Sequence, residues 1–446
     1  MQPRVVRALV VAFFLFAPAG ANAQSVEEGR RNDLVAFRRD FYARDSSYSI
    51  EHRAEADRRL RTLESNVGTL TAAQFELELA RIVALADNGH TNSPASLRSR
   101  RYTRVPIRLV PFGDQFYVLS ADTAHADLLG ARLVGIDGKA LADVRSAAHV
   151  LSGGTPAWRD RQLPFLLESP EQMMALGITT VPRTAVFRFA LRNGRTIDRR
   201  ITADPPNASR EAFPGTRWLY PEPLDGDRGD WRFLGTKEKS PWAFQEPSQF
   251  FRLRPAPELN ALIVQLRANH DGPQPIQEFL GKATDEIHRM KPRNLVLDLR
   301  VNGGGDLNNT RDFVQSLPTL VPGRIFVLTS PWTFSAAIST TGYLKQAGGD
   351  RVTIVGEVVG DRLEFWAEGR LARLPYSGAA MSYSTQRHDY KTGCKPYTDC
   401  HGAVVRNPIS VPSLAPDIPA PFTIEDFIAG RDPGMEAIAK VVLRKF

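Results

Sequence analysis

The feature that most constrains this chain is the stretch Leu295-Val296-Leu297-Asp298-Leu299, which runs almost directly into Gly303-Gly304-Gly305. A short, nearly unbroken apolar run bounded by glycines reads as a strand buried on both faces, and such strands belong to parallel sheets covered by helices. The surrounding sequence fits that reading. Asn260 to Leu266, Arg324 to Leu328 and Val352 to Val355 are further strand candidates. Between them, Ile276, Phe279, Leu280, Ala283, Ile287 and Met290 recur at helical spacing, Phe313 to Leu317 falls in a second helix, and Ser335 to Ala347 reads as a third. Strands and helices alternating at these lengths imply crossover connections and a mainly parallel α/β sheet.

Upstream the texture differs. Leu34, Phe37 and Phe41, then Phe75, Leu79, Ile82, Val83 and Ala86, recur at spacings of three and four, so residues 26 to 87 read as helices. Thr71 with Gln74 forms a capping box for the second run, and Asn88-Gly89 is expected to stop it because Gly accepts a left-handed conformation. His90 and Thr91 then sit on a turn. From Val105 short alternating segments take over: Pro106 to Val110, Gln115 to Leu119, Ala131 to Ile136 before the turn Asp137-Gly138, and Phe187 to Ile201 across Asn193-Gly194. Residues 203 to 258, rich in Pro, Trp, Gly and Asp, read as connecting loop and hairpin. A chain of 446 residues at roughly 150 per domain holds about three domains. The expected division is 24–101 helical, 102–204 β-rich and 205–446 α/β.

The first 23 residues are set apart. Arg4 and Arg7 precede the apolar run Ala8 to Phe16, and Ala21-Asn22-Ala23 closes it, the pattern of a cleaved signal peptide. The expectation is an exported protein, periplasmic or secreted, with no integral membrane segment after cleavage, since no later window is apolar for long enough to span a bilayer. With 42% hydrophobic and 24% charged residues the chain is neither disordered nor fibrous. Its net charge of +8 is spread without a basic and aromatic stripe, so no nucleic-acid partner is expected. Cys394 and Cys400 share a Gly- and Asp-containing loop, and in an oxidising compartment a local disulfide is expected. A zinc pair is the weaker alternative: His388 and His401 flank the cysteines, but at a spacing that matches no usual finger.

Three segments carry potential chemistry. The triple glycine after a buried strand lets backbone amides face negative charge, which suits an oxyanion or phosphate. A dinucleotide loop lacks its third glycine here, and a P-loop lacks its Gly-Lys-Ser/Thr. The strand Ile325 to Thr329 ends in a Pro331 turn, after which Ser335 opens a helix among small residues; Ser335 is either a helix-start residue or a hydroxyl facing a cleft. His90, on its turn after Gly89, is either a surface histidine or the base that a serine nucleophile requires.

Together these motifs resemble a family. Asp298-Leu299-Arg300, Asn302-Gly303-Gly304-Gly305, Val327-Leu328-Thr329, Ser335-Ala336-Ala337, Val355-Gly356-Glu357 and Gly360 look like the tail-specific, or carboxyl-terminal processing, serine proteases. Asp87 with Gly89-His90-Thr91 resembles its tricorn-core-like branch, and Asp417-Ile418, Asp426 and Gly430-Arg431-Asp432-Pro433 resemble the family's closing segment. The resemblance implies a ClpP/crotonase-like catalytic domain behind a degenerate PDZ-like domain, with Ser335 as nucleophile. It also implies that the amides of Ala336 and of Gly303 or Gly304 hold the oxyanion. Where many members place a dyad lysine, this chain reads Gly360-Asp361-Arg362, so the resemblance implies a histidine-dependent arrangement. His90 is then the base, and Asp361 or Glu364 the acid that orients it. The expected activity is hydrolysis of peptide bonds in peptides or protein tails, without metal or cofactor. The alternative is a non-catalytic binder of ligand or peptide on the same fold.

Overall fold

The computed structural model describes residues 25–211, 215–227 and 229–443, so the leader-like segment lies outside the described residues. No helix among the described residues is long and apolar enough to cross a membrane. The fold is mixed α/β with several sheets.

Chain entry is helical. Val26–Ala36 continues through a wider π-helical turn, Phe37–Tyr42, and is followed by Ile50–Asn66 and Ala72–Ala84. Both halves of the Thr71/Gln74 capping box form, at 3.2 and 2.9 Å. The helix stop differs from the sequence expectation: the left-handed residue is Asp87, at φ 46°, not Gly89. Gly89 is required for a different reason, since a Cβ there would sit 2.8 Å from Asp361 Oδ2 and 3.0 Å from the Phe334 ring. These helices bury Phe37, Phe41, Leu60, Phe75 and Leu79 against Leu374, Met381 and Tyr383 from the far end of the chain.

Next comes an antiparallel sheet whose main path runs Ile107–Phe112, Gln115–Asp122, Arg132–Ile136, Thr184–Ala190 and Thr196–Thr202. Asp137 and Gly138 both take positive φ, 45° and 78°, as a tight two-residue turn between right-twisted strands demands. The strands were legible but three helices were not: Leu141–His149, Pro156–Leu167 and Pro170–Ala175. Two of them open with Pro at the first turn and the second carries Pro164 inside, which disguises its period. They close the sheet over a core of Leu109, Phe116, Val118, Phe187 and Phe189.

The remaining large sheet has six strands in the spatial order Ile418–Pro419, Val352–Gly356, Ile325–Thr329, Asn294–Asp298, Ala261–Leu266 and Phe251–Ala256. All neighbours pair in parallel except the last two, which are antiparallel. Helices Ile276–Met290, Asn308–Leu320 and Ala336–Gly348 bury Phe279, Leu280, Val314, Leu317, Ile338 and Leu344 in one core with Leu295, Leu297 and Val327. Val296, Phe326, Leu328 and Val355 point to the opposite face, onto Ile438 of Pro433–Leu443. Alternate residues of one strand thus enter two cores, which is why the run had to be apolar throughout.

At the carboxyl edge of that sheet Arg300 is clamped between Asp298, at 2.8 and 3.0 Å, and Asp432, at 2.7 and 2.9 Å. Burial alone would raise the Asp432 carboxyl, but the Arg300 charge and hydrogen bonds hold it below its ordinary value. Asp432→Ala leaves the arginine half-compensated in a buried place, and urea unfolding is expected to show a loss of roughly 3 kcal/mol.

Candidate active site

Both glycine-rich and serine segments lie at the carboxyl ends of adjacent parallel strands, Asn294–Asp298 and Ile325–Thr329, where α/β sheets place their ligands. A buried polar network fixes one segment to the other. Asn302 donates from Nδ2 to Asn269 Oδ1 at 2.8 Å, and its Oδ1 accepts from the Gly304 amide at 2.8 Å. Asn269 in turn donates to Thr310 Oγ1 at 3.0 Å and Thr340 Oγ1 at 2.8 Å, while the Phe334 amide donates to the Asn302 carbonyl at 3.0 Å. Every side chain in this network is buried. Fully satisfied networks of this kind hold one geometry rather than many.

Ser335 precedes the helix Ala336–Gly348 with φ 54° and ψ −127°, and its side chain makes no capping hydrogen bond. It is not serving as a helix-start residue. A non-glycine residue in this region stores about 1–3 kcal/mol of strain, which persists only where the surroundings enforce it. The same strained strand-to-helix turn lifts nucleophilic hydroxyls clear of a sheet.

Gly304 approaches so closely that a Cβ there would lie 2.5 Å from Ser335 Cβ. Its amide is engaged by Asn302, whereas among the described residues no backbone acceptor pairs with the amides of Gly303 or Ala336. Of the glycines named for the oxyanion, Gly303 therefore keeps a donor for a ligand and Gly304 supplies room.

His90 is brought to this place from the other end of the chain. Its ring stacks between Phe334, at 4.4 Å, and Phe365, at 5.1 Å, so the residue next to Ser335 holds one face of it. Trp158 covers the far face of Phe334 at 3.9 Å. The turn itself is over-determined. Asn88 exchanges hydrogen bonds with the Trp366 backbone at 3.0 and 3.1 Å, and Thr91 donates to Asp45 at 2.7 Å. Asp87 pairs with Arg159 at 2.7 Å and Arg362 at 2.8 Å.

The two acids separate cleanly. Asp361 Oδ2 lies 3.7 Å from His90 Nδ1, and its side chain is 1% exposed. Glu364, the other acid the resemblance offered, instead stands on the exposed edge of Glu364–Ala367 and pairs with Arg387. Strand alternation explains the difference: Glu364 points outward and Phe365, one residue on, points inward to His90. Arg362, between the two acids in sequence, pairs with Asp87.

Both ring nitrogens of His90 and Asp361 Oδ2 are buried without a hydrogen-bond partner. Leaving such groups unpaired costs about 1–3 kcal/mol each, so three together mark a place where the fold keeps polar atoms free for a reactant. A movement of roughly an ångström brings Asp361 and the ring within hydrogen-bond distance.

Sequence reasoning missed Phe334 and Phe365, whose signal is only that they adjoin Ser335 and Glu364, and Trp158, which reaches the site in space alone through Phe334. It also missed Glu368, whose carboxyl is held below its ordinary value first by the hydrogen bond from His388 and further by the rings of His401, His388 and His90. A cavity of about 240 Å³ opens behind the Ser330–Trp332 turn, lined by Phe112, Arg161, Glu357 and Phe422; Ser335, His90 and Asp361 do not line it. Cys394 and Cys400 are bonded to each other, pinning the loop that precedes His401.

No family model and no curated protein matches the sequence itself. In structure the chain is similar to mature CPAF in complex with lactacystin, with a TM-score of 0.56 at 14% identity over 93% of this chain and 98% of that one. Mature CPAF alone gives a TM-score of 0.55 at 13% identity, over 93% of this chain and 97% of that one. A point mutant of CPAF gives a TM-score of 0.56 at 13% identity with the same coverage. The shared property at these identities is the fold.

Proposed function

We propose that this chain is a serine-type peptidase that hydrolyses peptide bonds in peptides or protein tails. Ser335 Oγ attacks the scissile carbonyl, His90 takes its proton and returns it to the leaving amine, and Asp361 stabilises the imidazolium formed between. The amides of Gly303 and Ala336 receive the developing oxyanion. A second water-derived attack on the acyl-enzyme, through the same histidine, frees the carboxylate product and restores Ser335.

The observation that carries this reading is a strained Ser335 next to Phe334, whose ring stacks on a histidine with both ring nitrogens unpartnered and an unpartnered acid beside it. The large parallel sheet acts in this reading as a ClpP/crotonase-like catalytic domain over residues 205–446, and the antiparallel sheet over 102–204 as a PDZ-like domain. The leader-like residues 1–23 support an exported, periplasmic or secreted location.

Intact-mass spectrometry after incubation with a fluorophosphonate tests the reading on wild type, Ser335→Ala and His90→Ala. One adduct on wild type, none on Ser335→Ala and slow labelling of His90→Ala are expected. A folded wild type that takes no adduct would turn the assignment to the non-catalytic binder.

The acid is tested separately. Asp361→Asn is expected to lower kcat on a labelled casein by about 10³-fold with little change in KM, because the imidazolium loses its counter-charge. Glu364→Gln is expected to stay within about threefold of wild type, since exposed ion pairs such as that with Arg387 contribute little.

A further inference from the structure

The ring stack does not end at His90. Beyond Phe365 it continues to His388, at 5.0 Å and 7°, and then to His401, at 5.3 Å and 10°. Neither histidine takes part in the serine chemistry, and His388 is 2% exposed. The ring is held there by hydrogen bonds at both nitrogens: Nδ1 lies 2.9 Å from Tyr390 Oη, and Nε2 lies 3.1 Å from Glu368 Oε1. Tyr390 Oη is itself 2.6 Å from Ser339 Oγ. His401 Nδ1 lies 2.6 Å from Gln386 Oε1.

Those partners decide the tautomers. An amide oxygen only accepts, so His401 carries its proton on Nδ1 and keeps a lone pair on Nε2. Glu368 is an acceptor and takes the Nε2 proton of His388 in the empty site, with Tyr390 donating to Nδ1 and accepting from Ser339; a metal ion at Nε2 displaces that proton, and the ring then carries its proton on Nδ1 and donates it to Tyr390 Oη. Imidazoles that bind metal have this arrangement, one nitrogen on the ion and the other donating to an oxygen of the protein. One ligand atom from each of Glu368, His388 and His401 lies within 4.8 Å of the others. The Glu368–His388 separation of 3.1 Å is already close to that of two ligands on one ion with bonds of about 2.1 Å. Glu368 and His401, both solvent-accessible, need to close by roughly an ångström.

We propose that Glu368, His388 and His401 bind a divalent transition-metal ion, Zn²⁺ above the others, and that the bound ion inhibits the serine site. Two imidazoles and one carboxylate with a position left for water are a zinc donor set, whereas oxygen-seeking Ca²⁺ and Mg²⁺ find a single carboxylate here. The inhibitory half rests on the peptidase reading of Ser335 and His90. Glu368 carries the negative charge that reaches His90 from this side. An ion there cancels that charge and adds its own, one ring beyond Phe365, and so disfavours the imidazolium through which acyl transfer must pass. No bond is made or broken by the metal.

The site is tested on the full chain without reductant, so that Cys394 and Cys400 stay paired. Competition against a chromophoric chelator is expected to show one Zn²⁺ bound per wild-type chain. His401→Ala and Glu368→Gln, both at accessible positions, are expected to weaken binding by at least about 100-fold. His388→Ala is avoided because its ring is buried. Co²⁺ in place of Zn²⁺ is expected to give the visible absorption of a four-coordinate site in wild type alone. Fluorophosphonate labelling of wild type is expected to slow at least about tenfold with Zn²⁺ and to recover with chelator, while His401→Ala labels at the metal-free rate throughout. Absence of Zn²⁺ binding by folded wild type, or equal binding by the variants, would overturn the site. Binding with the assigned ligands but unslowed labelling would overturn the inhibition. A protein that never labels leaves the chelator and Co²⁺ results to decide the site, so that failure falls on the serine assignment and not on the metal.

Discussion

Ser335→Ala is expected to be folded and inert: casein hydrolysis falls on the order of 10⁵-fold or more, the scale on which a serine nucleophile's loss removes the covalent route. The loss is large because one atom is removed from every step of the route, whereas the residual rate comes from oxyanion donors and binding alone. Stability is expected to move by less than about 1 kcal/mol, since the hydroxyl makes no capping bond and alanine inherits the same positive φ. Thermal melting alongside the kinetics separates the two effects. Activity above about one per cent of wild type would place the nucleophile elsewhere.

Gly304→Ala is the second large effect and acts through the backbone. At φ 103° the position favours glycine, and the added carbon would meet Ser335 Cβ at 2.5 Å and the Phe334 carbonyl at 2.9 Å. The backbone term alone is about 1–3 kcal/mol, and the contact must be relieved by moving the one turn that presents the hydroxyl. Urea unfolding is expected to show a loss of roughly 3 kcal/mol, and fluorophosphonate labelling to slow by more than about 100-fold. Gly303→Ala is the control. Space around that position is open and its φ is not in the left-handed region, so both readouts are expected to stay near wild type.

These two residues also show what local order can reach. The apolar strand, the glycine break and the helix after Ser335 were legible along the chain, whereas the roles given to Ser335 and the glycines came from the family resemblance. Four strands of the six-stranded sheet were legible from period and length, whereas its edges, Phe251–Ala256 in the stretch read as connecting loop and hairpin and the two-residue Ile418–Pro419, were not. The helices between Leu141 and Ala175 were not, because prolines at the starts and inside one of them hide the period.

The acid shows the limit. Asp361 and Glu364 are three residues apart and chemically alike, yet the strand that pairs Phe365 with His388 turns Glu364 out to Arg387, while Asp361, ahead of that strand, is placed against Gly89 and His90. The same holds for Gly89, whose need for a missing side chain arises from Asp361 and Phe334, more than two hundred residues away.

The sequence by itself determined the periods, the breaks and the residue types available for chemistry, because these depend on neighbours along the chain. Only the tertiary structure decided which of them meet. Asn88 joins Trp366 across 278 residues, the first helices pack on Leu374, Met381 and Tyr383, and His90 is stacked between Phe334 and Phe365. Contacts at such separations are selected by the burial of whole faces against one another, a property of the assembled layers that no local pattern encodes.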